Sequence, residues 1–274
     1  MERFVGNKKE YFIGDLSHMV NMSRDTLRFY EKKGIISAKR KENGYRYFSE
    51  DDLYRLLAIS YHRKTDDSLE NIRNFLDGSN SVSCLQTHLD SRIAEEEEEL
   101  RRHRQIITRL KLMKRDMNAI ENHLDRCCIK PFPSSYIIGS CKSLQESLQQ
   151  WFQLSSAIAG MDMAYFYSIF SCQNNTLSCK EIQLLLYKQV WEAIKEESDT
   201  TSYPSSSSPQ CIYTVVKAEK PFPSLSLISK MKQWAHLHGI QTDSIVYSNN
   251  MTFYFDKEKN IYYLELYMPV TEFI

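Results

Sequence analysis

Residues 13–48 read IGDLSHMVNMSRDTLRFYEKKGIISAKRKENGYRYF, an order that little but a small helical unit followed by a hairpin can satisfy. Phe12-Ile13 and Leu16, followed by Met19-Val20, give one short apolar helical stripe. Ser23 then serves as an N-cap, and Thr26-Leu27 and Tyr30 continue into a second helix that Gly34 ends. Leu16, Val20, Met22, Leu27 and Ile35 are the expected shared core. Residues 39–48 centre on Asn43-Gly44, the dipeptide that supplies the positive φ angles of a type I′ turn, and Tyr45 and Tyr47 alternate as in a strand. Ser49-Glu50-Asp51-Asp52 opens a third helix, and residues 68–76 form a fourth that Gly78 ends.

The charge is concentrated in the same place. From Arg24 to Phe48 eight cations (Arg24, Arg28, Lys32, Lys33, Lys39, Arg40, Lys41, Arg46) face three acids (Asp25, Glu31, Glu42), in a chain of net charge +0. Each neutralised phosphate releases condensed counterions, so a dense positive field on a small helical unit points to duplex nucleic acid. No arginine follows Arg126. Arginine's planar fork is the better reader of phosphates and base edges, so the second half is expected to leave nucleic acid alone. That half holds all three Trp, 11 of 17 Tyr and eight of 13 Phe. A membrane partner is not expected, since no run of about 18 apolar residues occurs, and the first residues lack the apolar core of a signal peptide. Seven cysteines, one necessarily unpaired, fit a reducing cytoplasm better than a disulfide framework.

Residues 84–124 read as one long helix. Leu89, Ile93 and Leu100 mark one seam. Ile106, Leu110, Met113, Met117, Ile120 and Leu124 then follow at 4-3-4-3-4 spacing, which predicts a two-stranded coiled coil and a homodimer; the alternative is a helix packed on its own domain. The acids at 95–99, followed by Arg101, Arg102 and Arg104, can pair along the helix or with a partner. Cys127-Cys128-Ile129-Lys130-Pro131 breaks it. Beyond, strands are expected at 135–140, 163–172, 211–219, 251–255 and 261–269, with helices at 144–159 and 224–239. Residues 180–191 fit either state, and 198–209 form a polar Ser- and Pro-rich loop. Strand–helix–strands appears twice, which suggests a duplication building one antiparallel sheet with two helices.

Thr26-Leu27-Arg28-Phe29-Tyr30-Glu31-Lys32-Lys33-Gly34-Ile35-Ile36, then Asn43-Gly44-Tyr45-Arg46-Tyr47-Phe48-Ser49 and Asp52-Leu53, closely resemble the MerR family of bacterial transcription regulators. Ser68-Leu69-Glu70-Asn71-Ile72 resembles that family's second-wing helix. Ala38 stands where the family often has proline. Asp66-Asp67 replaces a glycine plus an apolar residue, which is expected to loosen the turn into the fourth helix. The remainder resembles the GyrI-like effector domain of the multidrug-sensing branch, on the duplicated layout, Trp234-Ala235…His238-Gly239 and Tyr263-Leu264-Glu265-Leu266-Tyr267-Met268-Pro269. The resemblance implies a multidomain α and α+β chain. It has a winged helix-turn-helix DNA-binding domain at 1–80, an antiparallel coiled-coil dimerisation helix at 84–124, and an antiparallel-sheet, GyrI-like effector-binding domain at 130–274. It further implies a cytoplasmic homodimer, without cofactor or enzymatic activity, acting on double-stranded promoter DNA and RNA polymerase. Such a dimer distorts a long-spaced promoter when a lipophilic, often cationic, small molecule binds.

Ser23, Arg24, Thr26 and Arg28 on the recognition helix, and Lys39, Arg40, Asn43, Tyr45, Arg46 and Tyr47 in the wing, are the candidate DNA contacts. Glu265 shares a strand face with Tyr263 and Tyr267, and a carboxylate among aromatic rings could hold a ligand cation. Tyr136, Tyr165, Tyr187, Tyr247 and Tyr254 are further candidate pocket walls, whereas Trp151, Trp191 and Trp234 sit on helical stripes and read as packing. A thiol-based metal site is the alternative. Cys84 at the start of the long helix would approach Cys127 and Cys128 in an antiparallel dimer, and soft thiolates suit copper(I), mercury or zinc. Gly-x-Ser-x-Gly, phosphate-loop and His-Glu-x-x-His motifs are absent, so no catalytic residues are expected.

Overall fold

The computed structural model describes residues 10–40, 44–76, 81–195, 203–251 and 261–273, in two compact units, Met1–Glu96 and Glu97–Ile274. In the first unit, β1 (Tyr11–Phe12) leads into α1 (Ile13–Val20), followed by α2 (Arg24–Lys32), β2 (Lys39–Arg40), β3 (Arg46–Phe48), α3 (Glu50–His62) and α4 (Leu69–Leu76). Asn21, in the left-handed region at φ 51°, closes α1. The Ser23 hydroxyl caps α2 by accepting from the Thr26 N–H at 3.0 Å. Gly34 ends that helix at φ +73°, where a side chain would be strained. Leu16, Leu27 and Ile35 are buried with Phe48, Leu56, Ile59 and Ile72, while Val20 and Met22 pack at the rim.

The hairpin pairs Lys39 with Tyr47 and Arg40 with Arg46. Gly44 has φ +75°; its companion Asn43 lies outside the described residues. Phe12, read above as part of a helical stripe, instead pairs with Tyr47 in a strand, giving a sheet of order β1-β3-β2. The buried Asp52 carboxylate accepts from the Ser49 and Ser37 N–H groups at 2.8 and 2.9 Å, fastening the start of α3 to the base of the wing. The turn into α4 is not loose. Asp66 adopts φ 55°, which aspartate tolerates better than most residues. Asp67 is buried, accepts from the Thr65 hydroxyl at 3.0 Å and lies 3.5 and 3.3 Å from the His62 and His88 rings.

Helix α5 (Val82–His123) passes from one unit into the other, and the units divide within it at Glu96. The second unit continues with β4 (Cys128–Pro131), β5 (Ser135–Cys141), α6 (Leu144–Ala157), β6 (Tyr165–Gln173), β7 (Thr176–Tyr187) and α7 (Lys188–Ile194). After these come β8 (Gln210–Ala218), α8 (Leu225–Leu237), β9 (Ile240–Thr242), β10 (Ile245–Asn250) and β11 (Tyr262–Phe273). The sheet runs β4-β8-β11-β10-β6-β7-β5, with β9 beside β11. Its central path is symmetric. β5, α6, β6 and β7 form one half, and β8, α8, β10 and β11 the other, meeting at β6 and β10. That is the repeated strand–helix–strands layout expected.

Three assignments shift. Residues 180–191 are strand and then helix, divided at Tyr187. The Cys127-Cys128 break enters β4 at once. The last hairpin begins in β10, N-terminal to the expected strand at 251–255, whose residues 252–255 lie outside the described set. Along β11, Tyr263 and Tyr267 face one core, whereas Leu264, Leu266 and Met268 face a second core that includes Ile228, Met231 and Ala235 of α8.

Candidate nucleic-acid interface and effector cavity

In the first unit, α2 and the wing bring their basic side chains to the surface. Arg24, Arg28, Lys39, Arg40 and Tyr45 are exposed, and Thr26, Arg46 and Tyr47 half-buried. Ser23 is engaged in capping, its hydroxyl 2.8 Å from that of Thr26, so its first role is to start the helix. The Arg24 guanidinium lies over Gly14, where a Cβ would come within 3.2 Å of it. Arg28 pairs with Asp25 at 3.0 Å, and Arg46 Nε lies 3.5 Å from Glu31. Exposed pairs of this kind are weak, so a phosphate can replace either acid. Tyr47 packs on Phe12 at 4.6 Å and Tyr45 meets the same ring edge-on at 6.1 Å, which braces the wing.

In the second unit, Glu265 is fully buried and engaged by five donors. Its Oε1 accepts from Arg115 Nη2 (3.0 Å) and from the hydroxyls of Tyr213 (3.0 Å) and Tyr267 (2.9 Å). Its Oε2 accepts from the Tyr167 hydroxyl (3.0 Å) and Asn249 Nδ2 (3.3 Å). Burial works to raise this carboxyl, but the Arg115 and Lys130 charges, with hydrogen bonds from Tyr267 and Asn249, hold it below the ordinary range. The Arg115 guanidinium carbon sits 4.5 Å from the Tyr187 ring centre and 5.4 Å from that of Tyr165. Lys130 Nζ is 4.0 Å from the Tyr213 ring centre.

Of the expected walls, Tyr165, Tyr187 and Tyr267 join this cluster. Tyr263 lies on the same face beside Lys217, Tyr247 packs on Phe132 in a tilted arrangement at 4.5 Å, and Tyr136 sits under Lys188; these three are not brought to the carboxylate. Tyr254 lies outside the described residues. Tyr167, Tyr213, Asn249 and Arg115 escaped the sequence reading.

Beside the cluster opens a cavity of about 370 Å³, within the range of small-molecule sites. Trp151, Phe152, Tyr165 and Phe166 give it aromatic walls, Leu112, Met113, Leu148 and Met163 aliphatic ones, and Asn249 and Asn250 polar ones. Trp151 therefore does more than pack. Asp162 also faces the cavity, held by Arg109 through two hydrogen bonds of 2.6 Å each.

Asp116 lies behind this wall, fully buried, accepting from the Tyr165 hydroxyl at 3.1 Å. Burial pushes its carboxyl from 3.8 up to about 6. A carboxyl raised on folding stabilises fully below its unfolded value, and the contribution is lost as pH rises through the folded value. Relative to Asp116→Asn, the native chain is expected to lose about 2 kcal/mol of unfolding free energy between pH 4 and pH 7, at about 1.4 kcal/mol per unit. Urea titrations of both proteins at each pH measure the gap; a constant gap refutes the assignment.

Cys84 is exposed in the first unit, and Cys127 and Cys128 are half-buried in the second, with the Cys128 thiol 3.7 Å from His123 Nδ1. Burial pushes both adjacent thiols up, away from the thiolate a soft metal needs. Among the described residues, no three His, Cys, Asp or Glu side chains converge as metal ligands, and no helix is long and apolar enough to cross a membrane.

Residues 11–79 match the MerR HTH family regulatory protein family. The HTH-type transcriptional regulator ZntR of Escherichia coli (strain K12) is 42% identical over 67 residues, 24% of this chain and 48% of ZntR, so the chain spans about half the length of that relative. Among solved structures, an EcmrR–DNA complex determined by cryo-electron microscopy covers 95% of this chain and 99% of its own, at 15% identity and a TM-score of 0.35. The crystal structure of the EcmrR C-terminal domain covers 54% of this chain and 98% of its own, at 11% identity and a TM-score of 0.36.

Proposed function

We propose, from the premise that residues 11–79 are a MerR-family helix-turn-helix domain, that the chain is a homodimeric, ligand-responsive transcription regulator. The observation that carries this reading is the union, in one chain, of that basic helix-turn-helix unit with a second unit holding an aromatic-walled cavity. The second unit has no arginine after Arg126 and the features of a small-molecule receptor. Its effector is a lipophilic compound, and the charge that effector carries depends on what Arg115 leaves of the Glu265 field.

The dimer forms through α5. Ile106, Leu110 and Met113 are 39%, 58% and 42% exposed, an apolar stripe whose spacing suits a partner helix. The lower end of the same seam, Ile120 and Leu124, packs on its own domain. Each protomer presents α2 and its wing to one half of a palindromic promoter site, and effector binding deforms the long spacer so that RNA polymerase can engage it. A ligand shifts this equilibrium only by its preference for one dimer geometry, and wing–phosphate contacts offset the DNA deformation energy. Ile106→Glu/Leu110→Glu is expected to convert the protein to a monomer in light scattering and to weaken operator binding by more than a hundredfold. A variant that remains dimeric, with native DNA affinity, refutes the arrangement.

A further inference from the structure

We propose that Arg115 is a tethered occupant of the cation position beside Glu265, and that the adjoining cavity therefore selects uncharged aryl molecules over cations. The inference rests on the second unit's being an effector-binding domain. It concerns one residue of α5 that sets the chemical class of the effector.

A carboxylate ringed by tyrosines attracts cations by charge and by the quadrupoles of the rings. In this chain the attraction is already satisfied. Arg115 bonds Glu265 at 3.0 Å and lies over the Tyr187 and Tyr165 rings, which stack on each other at 4.8 Å. The remaining capacity of Glu265 is filled by three tyrosine hydroxyls and the Asn249 amide. Lys130 adds a second positive charge on the Tyr213 face of the same cluster. Arg115 also lies 3.8 Å from the buried Asp116 carboxylate, so two cations answer two buried acids and the cluster holds no surplus negative charge.

The cavity lies one layer away, since Asn249 and Tyr165 belong both to its wall and to the Glu265 cluster. Its own carboxylate, Asp162, is neutralised by Arg109 through paired hydrogen bonds. A cation entering the cavity meets apolar rings, a neutralised acid and, behind the wall, acids already matched by cations: Glu265 and Asp116 beside Arg115 and Lys130. It gains no counter-charge for the water it gives up. A neutral aryl molecule meets the same rings at no such cost, and the Asn250 amide can serve its polar group. A cation could reach Glu265 only by driving Arg115 out toward the cleft formed by Asn118, Asn122 and Lys130.

The test compares two probes of similar shape, neutral triphenylphosphine oxide and cationic methyltriphenylphosphonium, by quenching of tryptophan fluorescence in the full chain; Trp151 lines the cavity. The native protein is expected to bind the neutral probe at least tenfold more tightly. Arg115→Met, which frees Glu265, is expected to strengthen phosphonium binding at least tenfold and reverse the order. Arg115→Met/Glu265→Gln, which removes both members of the ion pair, restores the neutral preference and keeps the proposal testable if the single variant does not fold. Native binding of the phosphonium as tight as that of the oxide overturns the proposal, whatever the variants do. If the native chain binds neither probe, the effector-domain reading fails and this inference fails with it.

Discussion

Glu265→Ala is expected to destabilise the second unit by about 3–5 kcal/mol, the cost of breaking a buried ion pair by removing one partner. The pair itself is not a large net source of stability, because both charges were taken out of water to make it. What the variant leaves behind is the penalty: the Arg115 guanidinium without its 3.0 Å acceptor, and the Tyr167, Tyr213 and Tyr267 hydroxyls and Asn249 amide without theirs. Glu265→Gln keeps the shape and some of the bonds, so its cost is smaller. Replacing both partners, as in Arg115→Met/Glu265→Leu, removes the stranded guanidinium charge and recovers that share of the loss, while the three hydroxyls and the Asn249 amide stay without their acceptor. The native carboxyl is held below its ordinary value of 4.5. Its contribution is therefore present above about pH 4.5 and lost as pH falls through the folded value, and the gap between native and Glu265→Ala narrows in acid. Chemical denaturation followed by circular dichroism at pH 7 and pH 4 measures both; a loss under 1 kcal/mol at pH 7 contradicts the hydrogen-bonded geometry.

Much of the first unit was legible because its signals are local. Ser23, Gly34 and Gly44 fix the chain within a few residues, and each does what its chemistry dictates. β1 was missed because Phe12 abuts the α1 stripe and two residues carry no period. In the second unit the i±2 rule correctly put Tyr263, Glu265 and Tyr267 on one face, and the halves of the sheet could be counted from their strand and helix patterns. Arg115 was invisible for a different reason. Helix α5 carries two stripes of the same spacing. Ile106, Leu110 and Met113 read as a seam because they are apolar. Arg109, Leu112, Asp116 and Ala119 turn toward the second unit's own core and cavity, with all but Arg109 buried, but mixed polarity conceals them from a hydrophobic count. What holds Arg109, Arg115 and Asp116 in place is pairing with Asp162, Glu265 and Tyr165, and partners up to 150 residues apart leave no periodic trace. Tyr167, Tyr213 and Asn249 were lost similarly: which strands neighbour β11 is decided by the sheet order.

Arg28→Ala/Arg46→Ala is expected to weaken operator binding about a thousandfold at 0.15 M salt. If each arginine neutralises one phosphate, the double variant of a dimer loses four contacts, and the slope of log K against log salt becomes shallower by about 3.6, at roughly 0.9 per contact in duplex DNA. That slope, carried down from 1 M to 0.15 M, gives about three decades. The geometry makes the estimate a lower bound. Asp25 lies 3.0 Å from Arg28, and Glu31 lies 3.5 Å from Arg46, so removing the cations leaves both carboxylates facing the polyanion. Neither arginine belongs to the buried core, and exposed ion pairs contribute little to folding, so the melting temperature is expected to change by no more than a few degrees. Fluorescence anisotropy across a salt series separates the possibilities. Equal weakening on operator and random duplex, with the reduced slope, identifies phosphate contacts. Loss confined to the operator identifies base reading. An unchanged slope and affinity would remove α2 and the wing from the DNA interface.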